Sequence, residues 1–564
     1  MNKLPFYVLL LIFSTSLLFS GEFCYSRKWL NILFYDKQGD SYISLADTSD
    51  FFITQEGKTD PKAEYEASLK LVEANDLSFK TKFPLRYKYI ANNNNFKYEP
   101  VVQVANNIEN VVIAYPNRYM SNPASMFGHL YLVLKTNKGL LDSDILHYVA
   151  DTKGVGGFNY LLGGLVGEFE GWFLREPYYK EVKNYTYVED RDIIYYDLKL
   201  FPEQIEDLQL AYIELQNYSF YYYFLDKNCA FIIGKLLNVI LLEDIVKKEA
   251  YVMPSQIINK LIDASLLENK LFRVSNTKLF NNIFNKLSGS DKKKVIKLFF
   301  KKHPNVQYNK EILKSFLLIS EYVISNYSSM SDTVRFNRIE AYKRLRELNV
   351  FGVRQKDIKS KSVSRIKSES VGVSGLVNGR YEFVYNPVYF SEYSKHDKID
   401  IKSVKCLGIK LKLNPNDSNS LKFNIVDLKN ITQYNELLNT FSWEVKSSII
   451  YNDSFLTNQE FNYGLAFNFL NNGLIYSLIG LNYTSFDDIT DVLLVDLNFI
   501  PAIKIGLNQN LTENLKFFVS YENRFKKDYI KAELLYKHDN LLNKLMLINE
   551  GSSSILKLSF EFLF

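Results

Sequence analysis

In the stretch Asp226-Lys227-Asn228-Cys229-Ala230, the cysteine is followed by Phe231, Ile232, Leu236, Leu237 and Ile240 at helical spacing, so Cys229 stands where a helix begins. Asn228 suits the N-cap, and the first-turn amides together with the helix dipole favour a thiolate, drawing a thiol pKa from about 8.5 toward neutrality. A thiol so placed is a nucleophile, although a buried structural cysteine fits the same segment. His129 bears on the choice. It follows the small-residue turn Ser125-Met126-Phe127-Gly128 and opens a strand in which His129, Tyr131 and Val133 share one face and Leu130, Leu132 and Leu134 the other. An imidazole at a strand start, opposite a helix N-terminus carrying a cysteine, is what a thiol nucleophile needs: a base for its proton, with backbone amides for the oxyanion. Asn228, Ser125 and Gly128 are the candidates for positioning and for the oxyanion hole. A lone strand histidine also serves purely structural ends. For orienting the ring the next strand offers His147 and Asp151, with Glu168 and Glu170 behind them.

The elements that must position these groups come from a long chain. Its 564 residues imply three or four units at roughly 100–200 residues per domain. With 47% hydrophobic and 23% charged residues it is neither disordered nor a helical membrane bundle. Aromatics stand out at 15%, with 41 Tyr and 42 Phe, which suits strands and membrane interfaces. A net charge of +5 spread over this length gives no reason to expect nucleic acid. The one dense basic patch, Lys292 to Lys294 with Lys297, Lys301 and Lys302, reads as a solvated helix face. Lys3, the apolar run Leu4–Phe19 and small residues at Ser20 and Gly21 make residues 1–21 a secretory signal peptide. Cys24 is not expected to carry a lipid, because Glu22 and Phe23 stand where small residues belong. Three cysteines, Cys24, Cys229 and Cys406, exclude a disulfide framework and leave at least one thiol free. The five histidines form no HExxH, and neither metal nor cofactor is expected; the glycines of 154–167 precede no phosphate-binding lysine and read as a mobile flap.

Four further units follow the signal. Residues 25–98 read as a small α+β module with an amphipathic stretch at Ala63–Ala74. Residues 99–250 alternate strands (Val111–Tyr115, His129–Lys135, Ile145–Ala150, Ile193–Leu200) with a helix at Glu203–Gln216 behind Pro202. Residues 251–360 carry Ile257, Leu261, Leu266 and Leu271 at helical spacing and read as a mostly helical connector. In 365–564 the period becomes two, with turn signals such as Asn414-Pro415-Asn416-Asp417 between segments of about ten residues. Phe461, Tyr463, Leu465, Phe467 and Phe469 share a face, as do Leu556, Leu558, Phe560, Phe562 and Phe564. A soluble sandwich is the plain alternative. Export, aromatic-ended amphipathic strands and a final alternating strand resembling an outer-membrane assembly signal favour an antiparallel transmembrane β-barrel of about ten to twelve strands.

The run Ser125 to His129, then Gly156-Gly157-Phe158, Gly163-Gly164, Pro177-Tyr178-Tyr179, Glu189-Asp190-Arg191-Asp192 and Tyr222 to Cys229, resembles the Lnb-type periplasmic domain. Upstream, Trp29-Leu30, Phe51-Phe52-Ile53 and Gly57-Lys58-Thr59-Asp60-Pro61 look like the module that commonly precedes it. The resemblance spans roughly Trp29–Leu261, and its His-before-Cys order is similar to circularly permuted papain-like thiol enzymes such as lecithin retinol acyltransferase. It implies a permuted papain-like α+β fold with Cys229 as nucleophile and His129 as base. The family's acyltransferases take an acyl chain from a phospholipid and pass it to the amine of a diacylglyceryl-cysteine lipoprotein. They carry transmembrane helices after this domain, where the present chain carries barrel-like strands.

The sequence therefore describes an envelope thiol enzyme in the outer membrane, its thiol domain in the periplasm, inserted by the barrel-assembly machinery and in contact with outer-membrane lipid. The expected chemistry is transfer from a phospholipid acyl donor, through a Cys229 thioester, to a lipoprotein amine or water. A cell-wall peptide amidase and a non-enzymatic barrel with a periplasmic plug or scaffold are the rivals.

Overall fold

A computed structural model describes residues 23–117, 126–155, 157–241, 243–351, 358–360, 363, 365–376, 379–390, 400–415, 418–435, 440–452, 454–470, 472–486, 499–524, 527–550 and 553–563. The signal-like segment and Ser125 lie outside these residues. The chain divides into two compact units, Met1–Ser364 and Arg365–Phe564.

The first unit is built on eight antiparallel strands in the order β10–β9–β7–β3–β4–β5–β6–β8. These are β3 (Ile108–Pro116), β4 (Tyr131–Thr136), β5 (Asp144–Asp151), β6 (Phe169–Pro177), β7 (Ile193–Leu198), β8 (Ser219–Tyr222), β9 (Leu267–Arg273) and β10 (Ile358–Ser360). Ahead of them come α1 (Arg27–Ile32), the hairpin β1 (Tyr35–Gln38) and β2 (Ser41–Ser44), α2 (Pro61–Glu73), α3 (Leu77–Lys82) and α4 (Pro84–Asn93). The sheet is interrupted by α5 (Gly157–Val166), α6 (Tyr178–Lys183), α7 (Pro202–Leu215), α8 (Cys229–Ile240) and α9 (Pro254–Asp263). Last come α10 (Asn276–Phe284), α11 (Gly289–Phe300), α12 (Lys310–Asn326) and α13 (Ser328–Glu347).

Local chemistry explains the element starts. Asp60 caps α2 with Pro61 behind it, Ser275 caps α10 and Asn309 caps α12, each side chain accepting from first-turn amides. Every residue of α8 is buried, ten of its twelve being apolar or glycine, and it packs against β4, β5, α1, α7 and α9. Its Lys235 pairs with Asp36 of β1. Arg86 of α4, fully buried, pairs with Glu64 of α2 at 3.3 Å and Glu214 of α7 at 3.1 Å and donates to the Phe51 carbonyl at 2.7 Å. These charges knit the leading segment into the body of the unit.

Two expectations are corrected here. The connector is mostly helical, as its spacing predicts, but not at Leu266–Leu271: helical spacing holds through α9, the chain turns at Ser265 (φ 57°), and Leu267–Arg273 pairs with β7. Leu271 then packs on the Tyr131–Tyr185 side of the sheet, so tertiary pairing overrides the local period. The glycine-rich 154–167 segment holds a helix, α5, rather than a flap. Gly164 and Gly167 lie where a Cβ would strike Phe224 and Tyr223, so the glycines permit close packing.

In the second unit, β11 (Ser370–Leu376), β12 (Tyr381–Asn386) and β14 (Ile401–Leu413) join β15 (Ser420–Ile431), β16 (Ser442–Asn452), β17 (Ser454–Phe469) and β18 (Gly473–Phe486). The ring continues through β19 (Phe499–Asn510), β20 (Leu515–Arg524), β21 (Lys527–His538), β22 (Leu541–Glu550) and β23 (Ser553–Leu563). Pairing of β11 with β23 and of β12 with β14 closes these twelve strands into a barrel. A short β13 (Val388–Phe390) continues along β14 beyond Pro387, which has no N–H to give to a ladder. Outward side chains are apolar and exposed (Phe383, Phe461, Ile503, Leu558, Phe560), while inward ones are charged and buried (Glu444, Glu460, Lys504, Lys557). That inversion excludes a soluble sandwich and defines a membrane barrel. Among the described residues no helix is long and apolar enough to cross a membrane.

Candidate functional site

Cys229 is the first residue of α8. Asn228 Oδ1 accepts from the amides of Ala230 (3.0 Å) and Phe231 (3.2 Å), and its Nδ2 donates to the carbonyls of Phe224 (3.1 Å) and Val252 (2.7 Å). One buried side chain thus caps the helix and ties down the segments on both sides. The Cys229 amide donates to the Tyr222 hydroxyl at 3.3 Å, and the Tyr222 ring stacks on Tyr148 at 5.6 Å. Around the thiol converge the Leu130 and Ala230 amides, the Tyr222 hydroxyl and, more distantly, the Arg191 charge; all favour the thiolate. Burial outweighs them and pushes the Cys229 thiol up. The expected drift toward neutrality is thereby corrected: a helix start lowers a thiol pKa only when water or a charge shares the site, and here the sulfur is enclosed.

His129 precedes β4 and extends its pairing, its amide donating to the Pro116 carbonyl at 3.2 Å. Gly128 is required by φ +89° and because a Cβ there would lie 2.4 Å from the Tyr115 ring. The imidazole groups with Tyr131 (6.3 Å) and Tyr185 (6.1 Å), and its buried Nε2 makes no hydrogen bond among the described residues. Burial, then His147 and Arg191, holds its pKa well below the usual histidine value. Strand alternation separates the two candidates. His129, Tyr131 and, opposite it on β5, His147 share one face, whereas Tyr148, next along β5, turns to Tyr222 and the thiol. The thiol meets the histidine strand at the Leu130 amide. Among the described residues no hydrogen bond joins His129 to Cys229.

His147 is buried with its Nε2 3.4 Å from Glu176 Oε2, longer than a good hydrogen bond. Burial lowers its pKa and Glu176 opposes this. With Glu181 of α6 these residues bring one ligand atom each within 4.8 Å, a grouping from three elements that no sequence spacing exposes and that has the geometry to hold a cation. The Glu181 carboxyl is raised to about 7 by burial and by the neighbouring Glu176 and Glu189. Asp151 is not brought to the ring: it ends β5, exposed, and accepts from the Lys153 amide at 3.0 Å in a turn. Glu168 and Glu170 are exposed as well.

Two groups went unassigned in the sequence. Tyr222 opens the Tyr222–Cys229 run that marks the resemblance, but nothing in its spacing gave it a role. Arg191 lies inside a motif that marks the resemblance, and it is buried, 2.8 Å from Glu189 and over the Tyr185 ring. It is the one cation whose charge reaches both His129 and Cys229 among the interactions that shift them.

Residues 97–262 match the family model of the Lnb N-terminal periplasmic domain, and residues 22–93 that of a domain of unknown function, DUF7843. No curated protein matches the chain. Similar solved structures include the KdgM porin in complex with disordered oligogalacturonate (10% identity, TM-score 0.24, 35% of this chain and 99% of that one). The KdgM porin itself (10%, 0.22, 35% and 99%) and the Acinetobacter baumannii outer membrane protein Omp33 (8%, 0.21, 35% and 96%) are also similar. The molecule is an outer-membrane protein that joins an Lnb-type periplasmic domain to a closed twelve-stranded barrel.

Proposed function

We propose that this envelope protein transfers acyl chains through a thioester on Cys229. The observation that carries the reading is the convergence of two backbone amides and the Tyr222 hydroxyl on a cysteine at the start of an Asn228-capped helix. At neutral pH the thiol is protonated and His129 is neutral, so the proton leaves as the sulfur attacks rather than beforehand. His129 takes that proton once the chain at Gly128–His129 turns the imidazole from the Tyr131–Tyr185 face toward the thiol, a backbone change and not a side-chain rotation alone. The S–C bond forms at a phospholipid ester carbonyl, the C–O bond breaks, and the imidazolium returns the proton to the departing lysophospholipid alcohol. An amine, that of a lipoprotein N-terminus, or water then attacks the thioester and releases the thiol. The Leu130 amide and the Tyr222 hydroxyl supply donors for the oxyanion of both steps, and Arg191 a stabilising charge. The link to a membrane barrel keeps the site on the same chain as a lipid-embedded element, which supports a lipid donor over a soluble one.

A second reading, a non-enzymatic envelope module with a structural thiol, is favoured by one observation: the imidazole sits with the aromatic cluster and not on the sulfur. Incubating the full chain with phospholipid vesicles separates the two. Release of lysophospholipid, abolished by Cys229→Ala and reduced at least 100-fold by His129→Ala, is the expected result. Equal release by wild type and Cys229→Ala, or none by either, supports the second reading.

A further inference from the structure

Inside the barrel the charges do not balance. Glu444 is shared by Lys504 (2.6 Å) and Lys429 (3.3 Å), and Glu460 by Lys446 (2.9 Å) and Arg524 (3.1 Å). Glu382 is shared by Lys557, Lys410 (3.2 Å) and Lys412 (3.7 Å). Arg524 is also held by Glu522 (2.7 Å), so four carboxylates serve seven cations. Part of the lumen forms a cavity of about 270 Å³, lined by Lys405, Lys410, Lys422, Lys531, Lys544 and Lys557 against three carboxylates, Asp427, Glu533 and Glu561. Lys531 and Lys544 are answered by Glu533 (2.7 Å) and Glu561 (2.5 Å). Among the described residues no carboxylate lies within ion-pair distance of Lys405 or Lys422; the Lys405 ammonium lies 5.6 Å from the Tyr389 ring. The register adds a second observation, since Lys410 of β14 stands directly opposite Lys422 of β15 with both lining the cavity. Like charges directly opposite repel, and Glu382 beside Lys410 answers only one of the two, leaving Lys422 without a carboxylate at ion-pair distance among the described residues.

We infer that the barrel is an anion-preferring channel whose lysine-lined cavity binds small multivalent anions, with Lys405 and Lys422 as the groups free to take them. Rings of Lys and Arg select anions because the wall potential concentrates them and depletes cations. The cavity volume admits a phosphate or a small dicarboxylate and excludes a folded polymer. This inference rests on the barrel alone and stands or falls apart from the thiol chemistry.

The test is single-channel recording of the full chain in neutral-lipid planar bilayers under a tenfold KCl gradient. A reversal potential of the chloride sign is expected, with chloride permeating at least threefold better than potassium. Millimolar inorganic phosphate should reduce the chloride current. The double variant Lys405→Gln/Lys422→Gln should lower the permeability ratio at least twofold and relieve the phosphate effect, its folding verified by heat-modifiable migration on gels. Cation preference, a ratio unchanged in the folded double variant, or no conductance above bare lipid from a folded barrel would each overturn the inference.

Discussion

The two units bury opposite kinds of surface. In the first, α8 is buried on every side and mostly apolar, and the few interior charges are paired, Arg86 between Glu64 and Glu214 and Lys235 of α8 against Asp36. In the second, Leu558 is 45% exposed on the outer wall while Glu444, at 1%, faces inward. Both arrangements follow from one rule, that apolar surface leaves water and charge keeps a partner or a wet lumen, applied to a molecule that meets two solvents. The contrast teaches that burial carries no single meaning in this chain. A buried lysine in the barrel faces a polar interior, whereas the buried thiol of Cys229 has been taken from water and is held protonated for it.

The largest expected effect breaks the comparison on the periplasmic side. Arg86→Ala strands two carboxylates in a dry interior and should cost about 3–5 kcal/mol, read as an earlier urea midpoint for the first unit with the barrel transition unmoved. The same kind of change on the barrel works in the opposite sense: Leu558→Lys, at the middle of an outward-facing strand, should cost about 2–4 kcal/mol, while a lysine at an exposed site of the first unit should change little. Barrel unfolding in detergent or lipid measures it, and a neutral result would contradict the lipid-facing assignment.

A smaller effect concerns pH. His129 has its folded pKa held below its unfolded value, near 6.5, so the stability it contributes is fully present above about 6.5 and is lost as pH falls toward the folded pKa. The loss has a slope of at most about 1.4 kcal/mol per pH unit for one proton. His147 acts in the same direction. Urea midpoints of His129→Gln measured between pH 7 and 5 should fall less steeply than those of wild type; parallel curves would show that the imidazole is not desolvated.

Much of the scaffold was legible in the sequence because local chemistry fixed it. Asn228 and Asp60 are caps before apolar helical periods, and the alternation through Leu556–Phe562 could belong only to a strand with one wet face. The barrel's even strand number followed from closure. What stayed hidden depended on contacts distant in sequence. Leu267–Arg273 reads as helix until β7 offers an edge to pair with, and the glycines of α5 read as a flap until the Phe224 and Tyr223 rings are seen against them. The Cys229 thiol looked acidic because a helix start is a local feature, while the burial that reverses it comes from β4, β8 and α8 together. The His147–Glu176–Glu181 group draws on β5, β6 and α6, and no spacing links them.

The central claim is that Cys229 carries an acyl group. Mass spectrometry of the peptide containing Cys229, after the full chain has been incubated with phospholipid vesicles and quenched, tests it directly. The account predicts an added acyl mass on wild type, removed by neutral hydroxylamine and absent from Cys229→Ala. An unmodified Cys229 in a chain that alkylates slowly even at pH 9 would contradict it and leave the barrel as the working part.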